Sequence, residues 1–536
     1  MDADLVSIQE ARDAVRAAAA AQKRFKTATQ DDVDRAVAAM VEAGAAAAAR
    51  LGQLAHDETG FGRPESKTQK NLFATRTLAA RMDGMRTAGV VDESADGATW
   101  TVATPMGVVA ALVPSTNPTS TALYKAIIAV KARCAVVMSP HPKAARCTAE
   151  AARVVAEAAT AAGAPDGLVQ CLGGAAGVTL AGTDALLEHD LVDVILATGG
   201  GPMVRAAYSK GKPAYGVGSG NVPAYVDRSA NVEKAAADIL TGTSFDWGTL
   251  CSTERSVVAD SPVRARLLDA LRQRGGHVCS DDETRKLRAV IKPGGRFNTD
   301  IVGQSPRRIA QMAGFSVPDD ARALLAEVET VGPDEPLSME TLSPILSFYT
   351  ADGWEAGCER CIRVLEFGGI GHTLALHATS DRVVREFALK KPSMRIVVNT
   401  VAALGSVGMT TALFPAMTLG PGTLGGSITS DNVTPMHLVN LKRVAFETAP
   451  LNSDAGEPLD AATPAPRRAT GPAPLAARPA GDGSWMDEIE ARLVARAGNR
   501  PAGDGPRQSD AAAGPHASAL PLPDGQIESL VRRFRK

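Results

Sequence analysis

One of the seven cysteines, Cys251, sits in FDWGTLCSTE, behind a Gly-Thr-Leu turn and ahead of Glu254. A cysteine there has two readings. It is a nucleophile if its surroundings supply thiolate, since a free thiol of pKa about 8.5 is only about 3% ionised at pH 7. Otherwise it is a small buried residue that happens to be sulfur. The seven stand at 134, 147, 171, 251, 279, 358 and 361; an odd number scattered through a long chain argues for reduced thiols and against a disulfide framework. Cys358 and Cys361 form the single C-x-x-C, with no second pair or His cluster beside it, so they read as two thiols one turn apart on a helix. No metal is expected.

Three further stretches carry groups that could face a ligand. In VPSTNPTSTALYKA a strand ends at Val113–Pro114 and a polar turn precedes a helix. Asn117 in that turn is either an amide donor for a developing oxyanion or an Asx turn ahead of Pro118. In VDVILATGGGPMVRAAYS an apolar strand runs into Thr198 and three glycines before a helix. Such a turn lets backbone N–H groups approach a phosphate, or it is only a tight connection. GVGSGNVPAYVD (216–227) is also glycine-dense but leads into a strand, which is the wrong context for a dinucleotide fingerprint. Its glycines let chain or ligand lie close to the backbone.

The chain that must position these groups has 536 residues, 45% of them apolar, 22% charged and 4% aromatic, with a formal charge of −2. That length exceeds one ordinary core and predicts two lobes, and the charge gives no global pull toward nucleic acid or anionic lipid. The N-terminus has no apolar leader and no run of about 18 apolar residues occurs, so a cytoplasmic protein without a membrane span is expected. Residues 1–60 read as a helical front end, with Thr29 and Asp32 as a cap and its third-position acid. Near 97–105, GATWTVATP alternates like an exposed hairpin arm. From 106 the runs VVAALVP, CAVVMSP, LVQCL, VDVILAT and VPAYVD alternate with helical stretches, the pattern of a doubly wound parallel sheet. A second α/β block from about 245 to 430 carries RSVVA, SPILSFY, HTLALHA and RIVVNT as strands. After 448 the composition collapses into Ala, Pro, Gly and Arg, expected to be a disordered linker. Within it, 484–497 and 524–536 have amphipathic spacing; either they pack back on their own domain or they dock in a partner's groove.

Taken together, PMGVVAALVPSTNPTSTALYKAIIAVKARCAVVMSPHPKA, ILATGGGPMVRAAYSKGKPAYGVGSGNVP, FDWGTLCSTERSVV, METLSPIL, GGIGHTLALHA and LGPGTLGGSITSDNVTPMHLVNLKRVA resemble the CoA-acylating branch of the aldehyde dehydrogenase superfamily. They are also similar to the aldehyde dehydrogenase half of bifunctional aldehyde–alcohol dehydrogenases. The resemblance implies two doubly wound α/β lobes with a small oligomerisation arm and a disordered C-terminal extension. A dinucleotide-binding domain would comprise 1–243 and 415–437, including the arm. A catalytic domain would span 244–414, an oligomerisation strand 438–448, and the linker 449–536.

By the same resemblance Cys251 is the nucleophile, Asn117 the oxyanion donor, and His372 lies near the thioester; on its own, a His after Gly371 at a strand start equally reads as a core residue. Pro114, Ser115, Thr116, Ser139, His141, Lys143, Thr198, Gly199, Gly200, Val217, Gly218 and Glu340 would contact the dinucleotide, NAD with NADP left open. Two departures bear on this. The segment GVGSGN lacks the glutamate with which hydrolytic relatives activate water, so a thioester on Cys251 would await coenzyme A as co-substrate. GGGPM replaces the relatives' Gly-Gly-Pro-Gly beside the pyrophosphate. The implied reaction converts a short-chain aldehyde to acyl-CoA in a homodimer or homotetramer. The implied setting is a bacterial microcompartment, with the C-terminal helix as encapsulation peptide on a shell protein. Competing expectations are a hydrolytic aldehyde dehydrogenase or acyl-phosphate reductase of the same fold, and a structural adaptor with no catalysis.

Overall fold

The computed structural model describes residues 2–174 and 177–448; the tail from 449 on, with both of its expected helices, lies outside the described residues. Four helices lead the chain, Ala3–Phe25, Gln30–Ala46, Ala48–Thr59 and Pro64–Leu72. The second begins at the expected cap: the Asp32 N–H donates to Thr29 Oγ1 and the Thr29 N–H donates back to the Asp32 carboxylate. This satisfies two amides that a helix start leaves unpaired.

The buried faces of the first three, through Val15, Val33, Met40 and Leu51, join the core of a five-stranded parallel sheet. Its order is Val169–Cys171, Ala135–Pro140, Val108–Val113, Val194–Thr198, Ala214–Val217. Every residue of Val108–Val113 is buried. Helices cover both faces, so the strands read as unbroken apolar runs without alternation. From Val108–Val113 the chain winds outward one way, and Val194–Thr198 begins the winding the other way. In an open α/β sheet, the carboxyl ends at such a reversal form a ligand crevice.

A seven-stranded parallel sheet makes the second lobe, ordered Gly276–Val278, Ala323–Glu327, Ile345–Ala351, Glu254–Asp260, Val222–Val226, Gly371–His377, Ser393–Val398. Here the structure corrects the sequence reading. Val222–Val226 does not extend the first sheet but pairs with Glu254–Asp260 and Gly371–His377, and the helix Val232–Ser244 packs in the same core. The lobes therefore divide between Val217 and Val222 and not at 243, and Gly218–Asn221 is the crossover. A short apolar run states that a strand is buried on both faces; which sheet it joins depends on partners more than a hundred residues away.

A third, antiparallel sheet joins Gly89–Glu93, Thr99–Pro105 and Val439–Ala445, with Trp100 packed edge-on against Phe446 at 5.0 Å. Among the described residues the outer edge of Val439–Ala445 has no partner, and no helix is long and apolar enough to cross a membrane.

Candidate active site

A cavity of about 600 Å³ opens at the carboxyl ends of Val108–Val113 and Val194–Thr198 and reaches Cys251. The first strand runs out into Pro114, Ser115, Thr116 and Asn117, the second into Thr198, Gly199 and Gly200, and the edge strand into Val217 and Gly218, all on the wall. His141, Lys143 and Glu340 complete the sequence-predicted part of it. Ser139 lines instead a neighbouring cavity of about 420 Å³, bounded by Pro140, Leu180 and Leu187, which shares His141 and Met203 with the first. Around Cys251 the wall also carries Phe61, Phe297, Val302 and Leu342. These lie in loops without a recognisable spacing, which is why the sequence did not single them out.

The loop before Cys251 is set by two consecutive left-handed residues, Asp246 at φ 48° and Trp247 at φ 49°. Side chains other than glycine rarely adopt that region, and buried contacts fix it here. The Asp246 carboxylate is fully buried and accepts from the Arg63 N–H at 2.7 Å, Thr249 Oγ1 at 2.6 Å, Lys67 Nζ at 3.2 Å and Lys70 Nζ. Burial works against the charged carboxyl, but the Lys70 and Lys67 charges outweigh it and hold Asp246 below its ordinary pKa. Burial likewise brings Lys70 down to about 8, against the pull of Asp246. On the other side of the loop Arg255 donates to the carbonyls of Gly248 and, at 2.8 Å, Ser343.

Asn117 is tied into the same network. Its Nδ2 donates to the Thr249 carbonyl at 3.1 Å and to Thr116 Oγ1 at 3.1 Å, while its Oδ1 accepts from Lys70 Nζ at 2.5 Å. Lys67, Lys70 and Asp246 escaped the sequence reading. Two lysines one turn apart on Pro64–Leu72 and an acid five residues before Cys251 give no sign that they meet.

Burial, followed by the nearby Glu340 charge, pushes the Cys251 thiol up to about 12, while Arg395 and Arg255 pull the other way. Glu340 is half-buried on the cavity wall, desolvation raises its pKa, and its Oε1 accepts from the Gly220 N–H at 3.0 Å. His372 is not on the cavity wall. It is fully buried behind Gly220, with Nδ1 bonded to Thr373 Oγ1 at 2.9 Å and Nε2 without a partner. Burial and the Arg395 charge bring its pKa down to about 3, so it is neutral.

Away from the cavity, Cys358 and Cys361 are both buried on the helix Gly353–Gly368, as their spacing predicts. Among the described residues, ligand-type atoms of His277, Cys279 and Glu283 come within 4.8 Å of one another, but Glu283 closes a capping box with Ser280.

Two doubly wound lobes, with a cysteine loop from one facing the strand ends of the other, define the architecture of a two-lobed α/β enzyme. The chain belongs to the aldehyde dehydrogenase family, whose model matches residues 2–288. It is 40% identical over 430 residues to the bifunctional aldehyde-alcohol dehydrogenase of Escherichia coli (strain K12), covering 79% of this chain and 48% of that one. The chain thus spans about half the length of the curated relatives it matches first. It is 32% identical over 443 residues to the succinate-semialdehyde dehydrogenase (acetylating) of Clostridium kluyveri, covering 82% of this chain and 96% of that one. The crystal structure of an acetylating aldehyde dehydrogenase from Geobacillus thermoglucosidasius superimposes with a TM-score of 0.82 at 46% identity, over 84% of this chain and 99% of that one.

Proposed function

We propose that the chain is a CoA-acylating aldehyde dehydrogenase in which Cys251 is the nucleophile and Asn117 holds the oxyanion. One observation carries this reading: the Cys251 thiol and the Asn117 amide face one cavity, while the crossover Gly218–Asn221 brings no carboxylate to it. Cys251 first gives up its proton to solvent, the thiolate being the minor form in this site; the thiolate then attacks the aldehyde carbon, and an Asn117 amide hydrogen stabilises the charge that develops on oxygen. The acyl group is then left on Cys251 as a thioester. With no side chain on the crossover to activate water, the thioester persists until the thiol of coenzyme A displaces it.

The residues present fit a nicotinamide dinucleotide. Gly200 precedes the helix Gly201–Tyr208 with no side chain capping its first amides. Those amides and the small glycine wall suit a pyrophosphate, and the adjoining cavity beside Ser139 has room for the adenosine end. Bound there, the dinucleotide would accept the hydride that leaves the aldehyde carbon. Gly199 and Gly200 would hold its phosphates, His141 and Lys143 its adenosine side, and Glu340 the nicotinamide ribose.

Glu340 favours one second reading. Among the described residues it is the single carboxylate on the cavity wall, and if it served water the enzyme would be hydrolytic. Its hydrogen bond to the Gly220 N–H speaks against that role. NADH formation from acetaldehyde with and without coenzyme A separates the two.

We also propose that the open edge of Val439–Ala445, with exposed Leu441 and Phe446, pairs with a second copy of the chain. The tail would tether the enzyme to a microcompartment shell protein; this rests on the amphipathic spacing of 524–536.

A further inference from the structure

We propose that Lys70 is a positioning residue for the chemistry at Cys251: its ammonium donates to Asn117 Oδ1 and locks the amide so that Nδ2–H, never the carbonyl, faces the developing oxyanion. The inference rests on the reading of Cys251 as nucleophile and Asn117 as oxyanion donor.

The geometry assigns each amide group a partner. Oδ1 points at Lys70 Nζ, 2.5 Å away, and one Nδ2 hydrogen is held by the Thr249 carbonyl at 3.1 Å. The other Nδ2 hydrogen rests on Thr116 Oγ1, a rotatable hydroxyl on the cavity wall. The planar amide fixes the direction of this hydrogen, and it is the one that substrate oxygen can take over, in place of Thr116 Oγ1, without breaking the anchor. Rotating the amide by half a turn would set carbonyl against carbonyl at Thr249 and NH₂ against ammonium at Lys70. Without Lys70 only the Thr249 contact opposes that rotation, and a flipped Asn117 would present a lone pair where negative charge must form.

Lys70 is more than the counter-ion of Asp246. Lys67 Nζ lies 3.2 Å from the same Oδ2, so one lysine already balances the carboxylate and Lys70→Met leaves a one-to-one pair. The second cation beside Asn117 is surplus to charge balance and adds positive potential behind the amide. In a dry site such preorganised charge acts strongly on a forming oxyanion.

The test uses acylation of Cys251 by p-nitrophenyl acetate. The thiolate attacks the ester carbonyl, the C–S bond forms, the C–O bond breaks and p-nitrophenolate leaves. Neither dinucleotide nor coenzyme A is needed, so the result is independent of the acceptor. The burst rate constant at saturating ester is measured for wild type, Cys251→Ala, Asn117→Ala, Lys70→Met, Lys70→Gln and Lys70→Met/Asn117→Ala, with folding followed by melting temperature. The expected losses are about a hundredfold or more for Asn117→Ala, the scale of a lost oxyanion donor, and roughly tenfold or more for Lys70→Met. The double variant should be no slower than Asn117→Ala alone. Lys70→Gln, which keeps a donor for Oδ1, should recover most of the rate. Equal loss from Lys70→Met in both backgrounds, or none in the first, overturns the proposal while leaving Asn117 in place. If Lys70→Met does not fold, the cycle is read on Lys70→Gln: any loss must vanish in the Asn117→Ala background, and one that persists overturns it. A burst undiminished in Cys251→Ala or Asn117→Ala overturns the parent reading, and the role of Lys70 with it.

Discussion

Gly220 passes so close to Cys251 that a Cβ on it would lie 1.7 Å from the Cys251 carbonyl oxygen. The crossover between the lobes and the nucleophile loop are thus in backbone contact, and only hydrogen fits between them. The carbonyl is backbone, not the end of a flexible side chain, so the clash cannot be relieved by a rotamer change. Gly220→Ala should therefore displace the Cys251 loop, costing about 1–3 kcal/mol of stability or more and lowering activity at least tenfold. A melting curve and a rate measurement check this. An alanine variant with wild-type melting temperature and rate would mean that the two segments are not held together.

Cys251 should be indispensable and coenzyme A should be required. Cys251→Ala removes the atom that carries the acyl group, so NADH formation from acetaldehyde is expected to fall by about a thousandfold or more, as losses of catalytic nucleophiles do. In the wild type, omitting coenzyme A should leave at most one turnover per site, seen as a burst of NADH. Sustained turnover without it would show that water resolves the thioester and would make Glu340 the group to examine.

The Cys251 thiol, at about 12, should be protonated at neutral pH and slow to alkylate. Its reaction with iodoacetamide is expected to rise about tenfold per pH unit, as the thiolate fraction does. Burial is the largest cause and the Glu340 charge the second. Because a negative neighbour disfavours thiolate, Glu340→Gln should lower the thiol pKa and speed alkylation at pH 8 several-fold. An unchanged or slower rate would mean that Glu340 is uncharged or turned away from the sulfur.

The legibility of these features in the sequence follows the range of the interactions behind them. The Thr29–Asp32 cap, the apolar strands and the glycine turn at Thr198–Gly200 are local, and each was readable from neighbouring residues. The apolar run Val222–Val226 marks a strand but not the sheet it joins, since its pairing partners begin at Glu254 and Gly371. Lys70 meets Asn117 and Asp246 across 47 and 176 residues, and nothing near Lys70 encodes either meeting. His372 Nδ1 and the Cys251 carbonyl both lie against Gly220, and burial keeps the imidazole neutral there; the contact joins segments more than a hundred residues apart, which no local spacing encodes.

The tail provides the last prediction, argued from its sequence. In DGQIESLVRRFRK, Ile527, Leu530, Val531 and Phe534 follow the i, i+3, i+4, i+7 spacing of one helix face, with Arg532, Arg533, Arg535 and Lys536 toward the C-terminal end, where cations suit the helix dipole. A segment of this length is too short to hold a helix alone and would gain one by burying that face in a groove. Deleting 520–536 should leave kcat and KM unchanged while abolishing co-purification with shell proteins. Leu530→Asp should do the same by placing a charge on the apolar face, whereas Arg533→Ala, off that face, should weaken capture only modestly. If the deletion leaves capture intact, the docking reading of 524–536 is wrong and 484–497 becomes the segment to remove. If the deletion instead lowers kcat, the helix serves its own domain.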